Sequence, residues 1–157
     1  MVNTRQVRER RALSFGSLDD ILADVDALDG TRLRATGNWT PAQIVQHVTQ
    51  LMDLSLDGFP ASVPVPMRIF GRVFKRVALT RAMFRGIKFP PSLAPALEPP
   101  EDVAWEDAVD HLRRAVERSA GGRMTQPSPL FGPLSHEEWV KLHCRHAEMH
   151  FGFIMPE

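Results

Sequence analysis

The sequence predicts an all-α fold: an antiparallel four-helix bundle with a long proline-rich excursion that contains an extra short helix. Four segments have apolar residues at helical spacing, and three of them open with a side-chain capping pattern. The alternation of apolar and polar residues that is typical of half-buried strands is scarce. The chain has 157 residues, so we expect a single domain over 1–157.

Composition excludes several functional classes. The formal net charge at pH 7 is zero, which removes the electrostatic basis for general nucleic-acid binding. Cys144 is the single cysteine, so a disulfide framework and zinc modules built on several cysteines are excluded. No apolar run reaches the ~18 residues of a membrane span, and the charged first residues lack the apolar stretch of a secretory signal. We therefore expect a cytoplasmic protein with no nucleic-acid or membrane partner.

The first helix is predicted to begin at Ser17. Ser17 and Asp20 have the spacing of a capping box, with aspartate in place of the longer glutamate. The apolar stripe that follows consists of Leu18, Ile21, Leu22, Val25 and Leu28. Gly30 comes after this stripe and is predicted to end the helix.

The second helix is predicted over residues 41–57. Thr40 provides an N-cap hydroxyl, Pro41 occupies the first helical position and Gln43 completes a capping box. The apolar residues at helical spacing are Ile44, Val45, Val48, Leu51, Met52 and Leu56. Gly58 suits the C-terminal cap.

Residues 58–104 contain eight of the chain's 13 prolines, a density that prevents one long regular element. Between the proline clusters, residues 67–85 are predicted to form a helix whose charged side chains are all basic. The basic segment 67–88 is either a helix for a membrane surface or another anionic partner, or a flap whose apolar side covers the bundle mouth or a dimer partner. We favour the flap and expect a homodimer, because Phe70, Phe74 and Phe84 need burial.

Two further helices complete the predicted bundle. One is predicted over 105–120, with acidic residues in its first turn and arginines near its end, as the helix dipole favours. The last is predicted over 136–154 and opens with a capping box formed by Ser135 and Glu138.

Four histidines are predicted to face the interior of the bundle. His143, His146 and His150 are spaced so that they share the apolar face of the last helix. His47 lies on the core-facing stripe of the second helix. Imidazole is the commonest metal ligand in proteins, and bundles build metal sites from inward side chains on facing helices.

A metal site is one of two interpretations of these histidines. A lone histidine on an apolar face is usually a core residue with ordinary hydrogen bonds. Three on one face bring six ring nitrogens that need partners when buried, and a metal ion would satisfy several of them at once. From spacing alone, the ligand pair on the last helix is either His143 with His146 or His146 with His150, and His47 supplies a third nitrogen.

Three stretches of the sequence resemble the DinB-like (damage-inducible) superfamily. Residues 39–47, WTPAQIVQH, resemble its opening motif, in which Trp-Ser/Thr leads into a helix with one metal histidine. Residues 131–139, FGPLSHEEW, resemble its approach to the last helix. His146 and His150 resemble its closing His-x-x-x-His. The resemblance covers nearly all of the chain and is strongest to the DUF1569 branch, whose function is unknown.

The resemblance implies a four-helix bundle in which His47, His146 and His150 hold a divalent ion, Zn, Ni, Fe or Mn. Characterised members include thiol-dependent transferases and a mycothiol-dependent isomerase, in which the metal activates a low-molecular-weight thiol. The implied function is therefore a metal-dependent transferase or hydrolase that acts on a small molecule. This chain departs from those members in residues 58–104 and in the additional His143.

Three further residues are candidates for the site. We assign His143 a catalytic role beside the metal, with a role as partner of a ligand or as an additional ligand as alternatives. Gln43 and Gln50 lie one helical turn on either side of His47, and we expect them to bind substrate. The alternative to an enzyme is a non-catalytic bundle that binds a metal or ligand and has an interaction role.

The other polar residues are expected to have ordinary structural roles. Cys144 is predicted to be a small buried residue, whereas His111 and His136 are predicted to be exposed. The side of the last helix opposite the histidines is expected to contact solvent through Lys141, Arg145 and Glu148.

Overall fold

The computed structural model describes residues 1–83, 85–86, 90–121 and 123–157. These residues form a mostly helical chain with one two-stranded sheet. The elements in chain order are α1 (Leu18–Asp26), β1 (Leu33–Ala35), α2 (Pro41–Asp57), α3 (Val65–Thr80), α4 (Ala94–Leu97), α5 (Trp105–Gly121), α6 (His136–Phe151) and β2 (Ile154–Pro156). None of the described helices is long and apolar enough to cross a membrane. Phe84, predicted to need burial in the flap, lies outside the described residues, as do Ile87 and Lys88 of the basic segment.

The three predicted capping boxes are confirmed. Ser17, Thr40 and Ser135 each accept a hydrogen bond from the backbone N–H three residues on, and the side chain of that third residue accepts one from the cap's own N–H. Each box satisfies two backbone donors that a helix start otherwise leaves unpaired. α1, α2 and α6 therefore begin where the local sequence predicts.

Helix α2 is central to the packing, because it contacts both α5 and α6. Helix α1 contacts the same two helices. The interface between them is apolar: Val48 of α2, Leu112 of α5 and Trp139 of α6 are all fully buried. Burial of a large apolar side chain is worth ~1.5–3 kcal/mol, so these contacts fix how α2 and α6, the helices that contain the inward histidines, face each other.

The small sheet is absent from the sequence prediction. β1 and β2 pair antiparallel, with Arg34 opposite Met155, and α6 ends at Phe151 instead of near residue 154. The chain leaves the helix at Gly152 because the residues that follow form hydrogen bonds with β1 instead. Strands of three residues are too short to show an alternating pattern.

The segment before α1 packs along one side of α6. Arg11 donates to both carboxylate oxygens of Asp24, at 2.7 and 2.8 Å, and the Phe15 N–H donates to Glu148 at 2.7 Å. Arg145 donates to the carbonyl oxygen of Phe15 at 2.7 Å. Arg145 and Glu148 are consequently half-buried, so the prediction that they contact solvent is wrong.

Two histidines predicted to be exposed are also half-buried. His111 forms hydrogen bonds with Asp53 at 2.7 Å and with Gln46 at 3.1 Å, both on α2. His136 Nδ1 accepts a hydrogen bond from the Met124 N–H at 3.2 Å. The prediction of exposure is wrong because these partners come from other segments of the chain.

The proline-rich stretch returns to α2 instead of remaining an excursion. It contains two helices, α3 and α4, where one was predicted, and α4 contacts α2. Leu93 and Leu97 are buried in a second apolar cluster. α3 ends before the predicted boundary at residue 85, because the backbone of Arg81 is extended.

Helix α3 is packed on one side and exposed on the other. Gly71 lies against the backbone of Leu130, and Lys75 binds Glu138 at 2.8 Å. The exposed apolar residues are Val65, Ile69, Phe70, Val73, Phe74 and Val77. The prediction that this apolar side covers the mouth of the bundle is therefore wrong, and its burial by a second copy stays a prediction.

Replacing Gly71 with alanine is expected to destabilise the packing of α3. A Cβ atom there would lie 2.2 Å from the carbonyl oxygen of Leu130, so the helix must move away from that loop. Overpacking of this kind costs about 1–3 kcal/mol, and urea denaturation should show a loss of that size in the free energy of unfolding.

Gly121→Ala is the matched control. A Cβ at Gly121 meets no atom within 4 Å, and alanine favours a helix more than glycine does. This variant should be as stable as the original chain or slightly more stable, and equal losses in both variants would contradict the close approach at Gly71.

Candidate metal centre

Three histidine side chains converge between α2 and α6. His47 comes from the middle of α2, and His146 and His150 come from the last two turns of α6. One ring nitrogen of each lies within 4.8 Å of the others, and the Nε2 atoms of His47 and His146 are 3.2 Å apart. The spacing on α6 leaves two candidate pairs, His143 with His146 and His146 with His150. In the structure, His146 and His150 are the pair that groups with His47.

Each helix has its histidines on its buried stripe. Ile44, three residues before His47, and Val48, directly after it, are both buried, and His47 itself is fully buried. On α6 the i,i+4 spacing brings the rings of His146 and His150 to one side, with centroids 4.6 Å apart. The apolar contacts between the helices thus bring polar rings together.

His47 is oriented by a hydrogen bond to the end of α4. Its Nδ1 lies 2.7 Å from the carbonyl oxygen of Leu97, and since a carbonyl oxygen only accepts, Nδ1–H is the donor. The lone pair of the neutral ring is therefore on Nε2, the nitrogen that faces His146. Metal-binding histidines are commonly oriented through the other ring nitrogen in this way.

Burial keeps the three imidazoles uncharged. It lowers the pKa of His47 to about 4, against a smaller opposing effect of the Leu97 hydrogen bond. Burial also lowers the pKa of His146 and His150 well below the usual histidine value, and repulsion from neighbouring histidines adds to it. The neutral ring is the form that binds a metal, so all three rings are in the ligand form at neutral pH.

The donor set fits a divalent metal ion. Two nitrogens that are each ~2.0–2.1 Å from a tetrahedral ion lie ~3.3–3.4 Å apart, close to the 3.2 Å between the Nε2 atoms of His47 and His146. Imidazole nitrogens suit zinc, iron and nickel. The Trp39 ring covers one side, at 4.8 Å from the ring of His47 and 5.8 Å from that of His150. His150 is the half-buried member of the group.

His143 lies one helical turn from His146 and outside the converging group. Its Nε2 donates to the Ser55 hydroxyl at 3.1 Å, because that hydroxyl donates its own proton to the Met52 carbonyl at 2.6 Å. Trp139 stacks on its ring at 5.3 Å. Burial lowers the pKa of His143 to about 3. Its Nδ1 is buried and has no hydrogen-bond partner within the described part of the chain.

Both glutamines that were predicted to bind substrate contact the segment after α4. Gln43 uses its Oε1 in the capping box and donates from Nε2 to the Pro100 carbonyl at 3.1 Å. Gln50 donates to the Glu98 carbonyl at 3.4 Å, and its Oε1 is buried with no partner among the described residues. Together with His47, they bind three backbone carbonyls from one face of α2. The i, i+4, i+7 spacing marks this face in the sequence, but it does not identify the partner, and a role with substrate stays a prediction.

The predicted structural role of Cys144 is confirmed. Its side chain is buried, and burial raises the pKa of the thiol to about 11. A thiol with so high a pKa is a poor nucleophile at neutral pH. Cys144 therefore takes no part in the chemistry of the site.

A sequence model of one family matches almost the whole chain. It is the DUF1569 model, described as a protein of unknown function, and it matches residues 7–157. The chain belongs to the DUF1569 family. Neither a curated protein nor a solved structure matches it. The predicted resemblance to DUF1569 is confirmed, and the matched region of this DUF1569 chain includes all three converging histidines.

The metal-free DUF1569 chain is expected to lose stability as the pH falls below ~6.5. The folded-state pKa values of His47, about 4, and His143, about 3, lie below the ~6.5 of an unfolded chain. Between those values the unfolded chain binds more protons, so stability rises with pH and is fully present above pH ~6.5. Each buried histidine adds a slope of up to ~1.4 kcal/mol per pH unit, measurable by urea denaturation between pH 7 and 5.

His143→Gln provides the comparison for this slope. Glutamine can still donate to Ser55 but does not titrate, so the slope should fall by about one proton's contribution. An unchanged slope would show that His143 does not titrate as a buried neutral ring.

Proposed function

We propose that the chain is a metal-dependent enzyme of the DinB-like superfamily, with a divalent ion, Zn, Ni, Fe or Mn, held by His47, His146 and His150. The convergence of three buried imidazoles with lowered pKa values is the observation on which this rests. One ring nitrogen of each histidine lies within 4.8 Å of the others, an arrangement in which one ion would contact all three rings.

The helix packing supports the same superfamily. Helices α1 and α2 each contact α5 and α6, which is the pattern expected if these four helices form a DinB-like antiparallel bundle. The three histidines come from two of those helices, as in other bundles with a metal in the core. The DUF1569 match and the fold thus agree with the motifs from which the resemblance was first inferred.

The proposed reaction class depends on the chemistry that a divalent ion held by these histidines would supply. A bound divalent ion lowers the pKa of a thiol or of water and so provides a nucleophile at neutral pH. The surrounding chain does the rest: the Leu97 carbonyl orients His47, Trp39 excludes water from one side, and half-buried His150 marks the side where a small molecule enters. We propose transfer of a low-molecular-weight thiol, or hydrolysis.

His143 is assigned a positioning role in this reaction. Its ring is neutral because burial lowers its pKa to about 3, so it is too weak a base to hold a proton at neutral pH. Its Nδ1 is a hydrogen-bond acceptor without a partner among the described residues. We propose that this nitrogen orients a donor group of the substrate or a water molecule.

A non-catalytic protein that binds a metal or a ligand is the alternative. In that case the ion would be structural, and protein side chains would fill all its coordination positions. The half-buried position of His150 favours the enzyme, because catalytic sites keep one position accessible.

Loss of a single ligand is expected to abolish metal binding. His47→Ala or His150→Ala leaves two imidazoles, and we expect the affinity for the ion to fall at least ~100-fold, since loss of a group that merely orients a ligand already costs ~10–100-fold. Metal content of the purified variants is measured by atomic emission. Full occupancy in both variants would rule out the three-histidine site.

His143→Gln is the matched control on the same helix. It should keep its metal and lower turnover in a screen of thiols with electrophilic substrates, because glutamine keeps the bond to Ser55 but does not reproduce the Nδ1 acceptor. Loss of metal as complete as in His150→Ala would identify His143 as a ligand. Stoichiometric metal without turnover of any substrate in the screen would favour the non-catalytic alternative.

We also propose that the chain forms a homodimer through the exposed face of α3. Phe70 and Phe74 on that face are 61% and 42% exposed, and their rings lie 4.3 Å apart. A contiguous exposed apolar face of this kind usually marks an interaction surface. A second copy offers the same apolar face across a two-fold axis.

The replacement of both Phe70 and Phe74 with serine is expected to convert the dimer to a monomer. Sedimentation velocity should show a dimer for the original chain and a monomer for this variant, while Thr80→Ser, at the exposed end of α3, stays dimeric. A monomeric original chain at all accessible concentrations would contradict the proposal. Co-sedimentation of such a monomer with anionic lipid vesicles would instead assign α3 to a membrane surface.

A further inference from the structure

Arginines from two distant segments of the chain line an open cavity. Arg5, Arg8 and Arg10 belong to the segment before α1, and Arg85 follows α3. With Gln6 and Val7 they surround an open space of ≈ 810 Å³. Among the residues that the structure describes, the charged groups that line this space are therefore all guanidinium groups.

The two segments are held together by reciprocal hydrogen bonds. Arg5 donates from Nε to the Arg85 carbonyl and from Nη2 to the Gly86 carbonyl, both at 3.3 Å. Arg85 donates in return to the Val7 carbonyl at 2.9 Å. Gly86 has a positive φ of 69°, and a Cβ there would lie 3.0 Å from Arg5 Nε. The backbone at Gly86 thus permits the close approach, and Arg5 and Arg85 are held in place before any ligand arrives.

The positive charge of this cavity is uncompensated. Within the described residues, none of the four arginines forms an ion pair. Glu9, the acidic residue of the same stretch, binds Arg34 instead. Burial, and then repulsion from Arg85, lower the pKa of Arg10. Carbonyl oxygens satisfy donors without cancelling charge, so an anion would relieve this repulsion.

Arg10 connects the cavity to the histidines. It donates from Nη2 to the carbonyl oxygen of Met149, the residue before His150, and its guanidinium lies 4.3 Å above the ring of Phe153. Arg10 Nε is buried and has no hydrogen-bond partner in the part of the chain that the structure describes. Arg10, which lines the cavity, therefore contacts the backbone of the residue next to His150.

We propose that the arginine cavity binds an oxyanion group, a carboxylate or a phosphate, of the small molecule that reacts beside His150. Guanidinium groups match the planar carboxylate and the phosphate through paired N–H donors. The proposal rests on the proposed function for the identity of the reacting centre, and it adds the class of substrate: a small anion. Arg8 is exposed and forms no hydrogen bond among the described residues, so it is the arginine most able to move onto the ligand.

The test is calorimetric titration of the metal-free protein with inorganic phosphate and with succinate at low ionic strength. The original chain should bind at least one of these anions saturably. Arg8→Gln should weaken that binding about tenfold, because a hydrogen bond between charged partners is lost. Arg8→Gln combined with Arg85→Gln should abolish it. Arg114→Gln, on the exposed side of α5, makes the same change in net charge away from the cavity and should leave the affinity within about twofold.

Each result distinguishes anion binding in the arginine cavity from a general effect of the protein's net charge. Absence of saturable binding to the original chain, or equal losses in Arg8→Gln and Arg114→Gln, would overturn the proposal. Binding to anionic lipid vesicles without binding of free phosphate or succinate would overturn it as well. Circular dichroism checks that each variant is folded. If the double variant does not fold, the single Arg8→Gln variant alone tests whether the cavity binds the anion.

Metal content is measured separately, so the two proposals fail in different ways. If the original chain binds no metal but binds the anion in a way that depends on Arg8, only the proposed function is contradicted. Stoichiometric metal without such anion binding would contradict the oxyanion site alone.

Discussion

The hydrogen bond between His47 Nδ1 and the carbonyl oxygen of Leu97 is the interaction on which the candidate site depends. It assigns the lone pair of a buried ring to Nε2, the nitrogen that faces α6. It also requires residues 58–104 to fold back onto α2, because Leu97 lies in that stretch. The apolar cluster around Leu93 and Leu97 and the two glutamine hydrogen bonds hold the same segment in place. Packing far along the chain therefore controls which nitrogen of the His47 ring has the lone pair.

The same packing creates an electrostatic problem at the histidines. Apolar contacts such as Val48 and Trp139 bring α2 and α6 together and exclude water from the rings between them. The neutral rings of His47, His143 and His146 are then enclosed, and the last two have an Nδ1 that lacks a partner among the described residues. Each unpaired buried nitrogen costs about 1–3 kcal/mol. A metal ion bound by the three converging histidines would stabilise the folded chain further, because only folding brings their nitrogens together.

Features encoded by neighbouring residues were predictable from the sequence, and contacts between distant segments were not. The capping boxes at Ser17, Thr40 and Ser135 depend on residues three positions apart, and they mark three helix starts correctly. Helical spacing likewise places His146 and His150 on one face. The resemblance to known motifs was needed to choose that pair, because spacing leaves His143 as an equal candidate.

The wrong expectations share one physical cause. Glu148 contacts solvent in an isolated helix, but here the backbone of Phe15 covers it. His111 has no local partner and instead binds Asp53, 58 positions away in the chain. A strand of three residues exists only because another strand pairs with it. Polar side chains identify their own chemistry in a sequence, but they do not identify the distant groups that satisfy them.

The two sides of the histidine group differ, and this difference indicates the side from which a small molecule would approach. On the side of His143 the surroundings are aromatic and fully buried, with Trp139 stacked on the ring. On the side of His150 the surroundings are half-buried and positively charged through Arg10. A dry side keeps competing water away, whereas an open cationic side attracts an anionic molecule. The segment before α1 supplies that charge and also packs along α6. Under the proposed function, this segment would therefore both stabilise the last helix and border the side on which an anionic molecule enters.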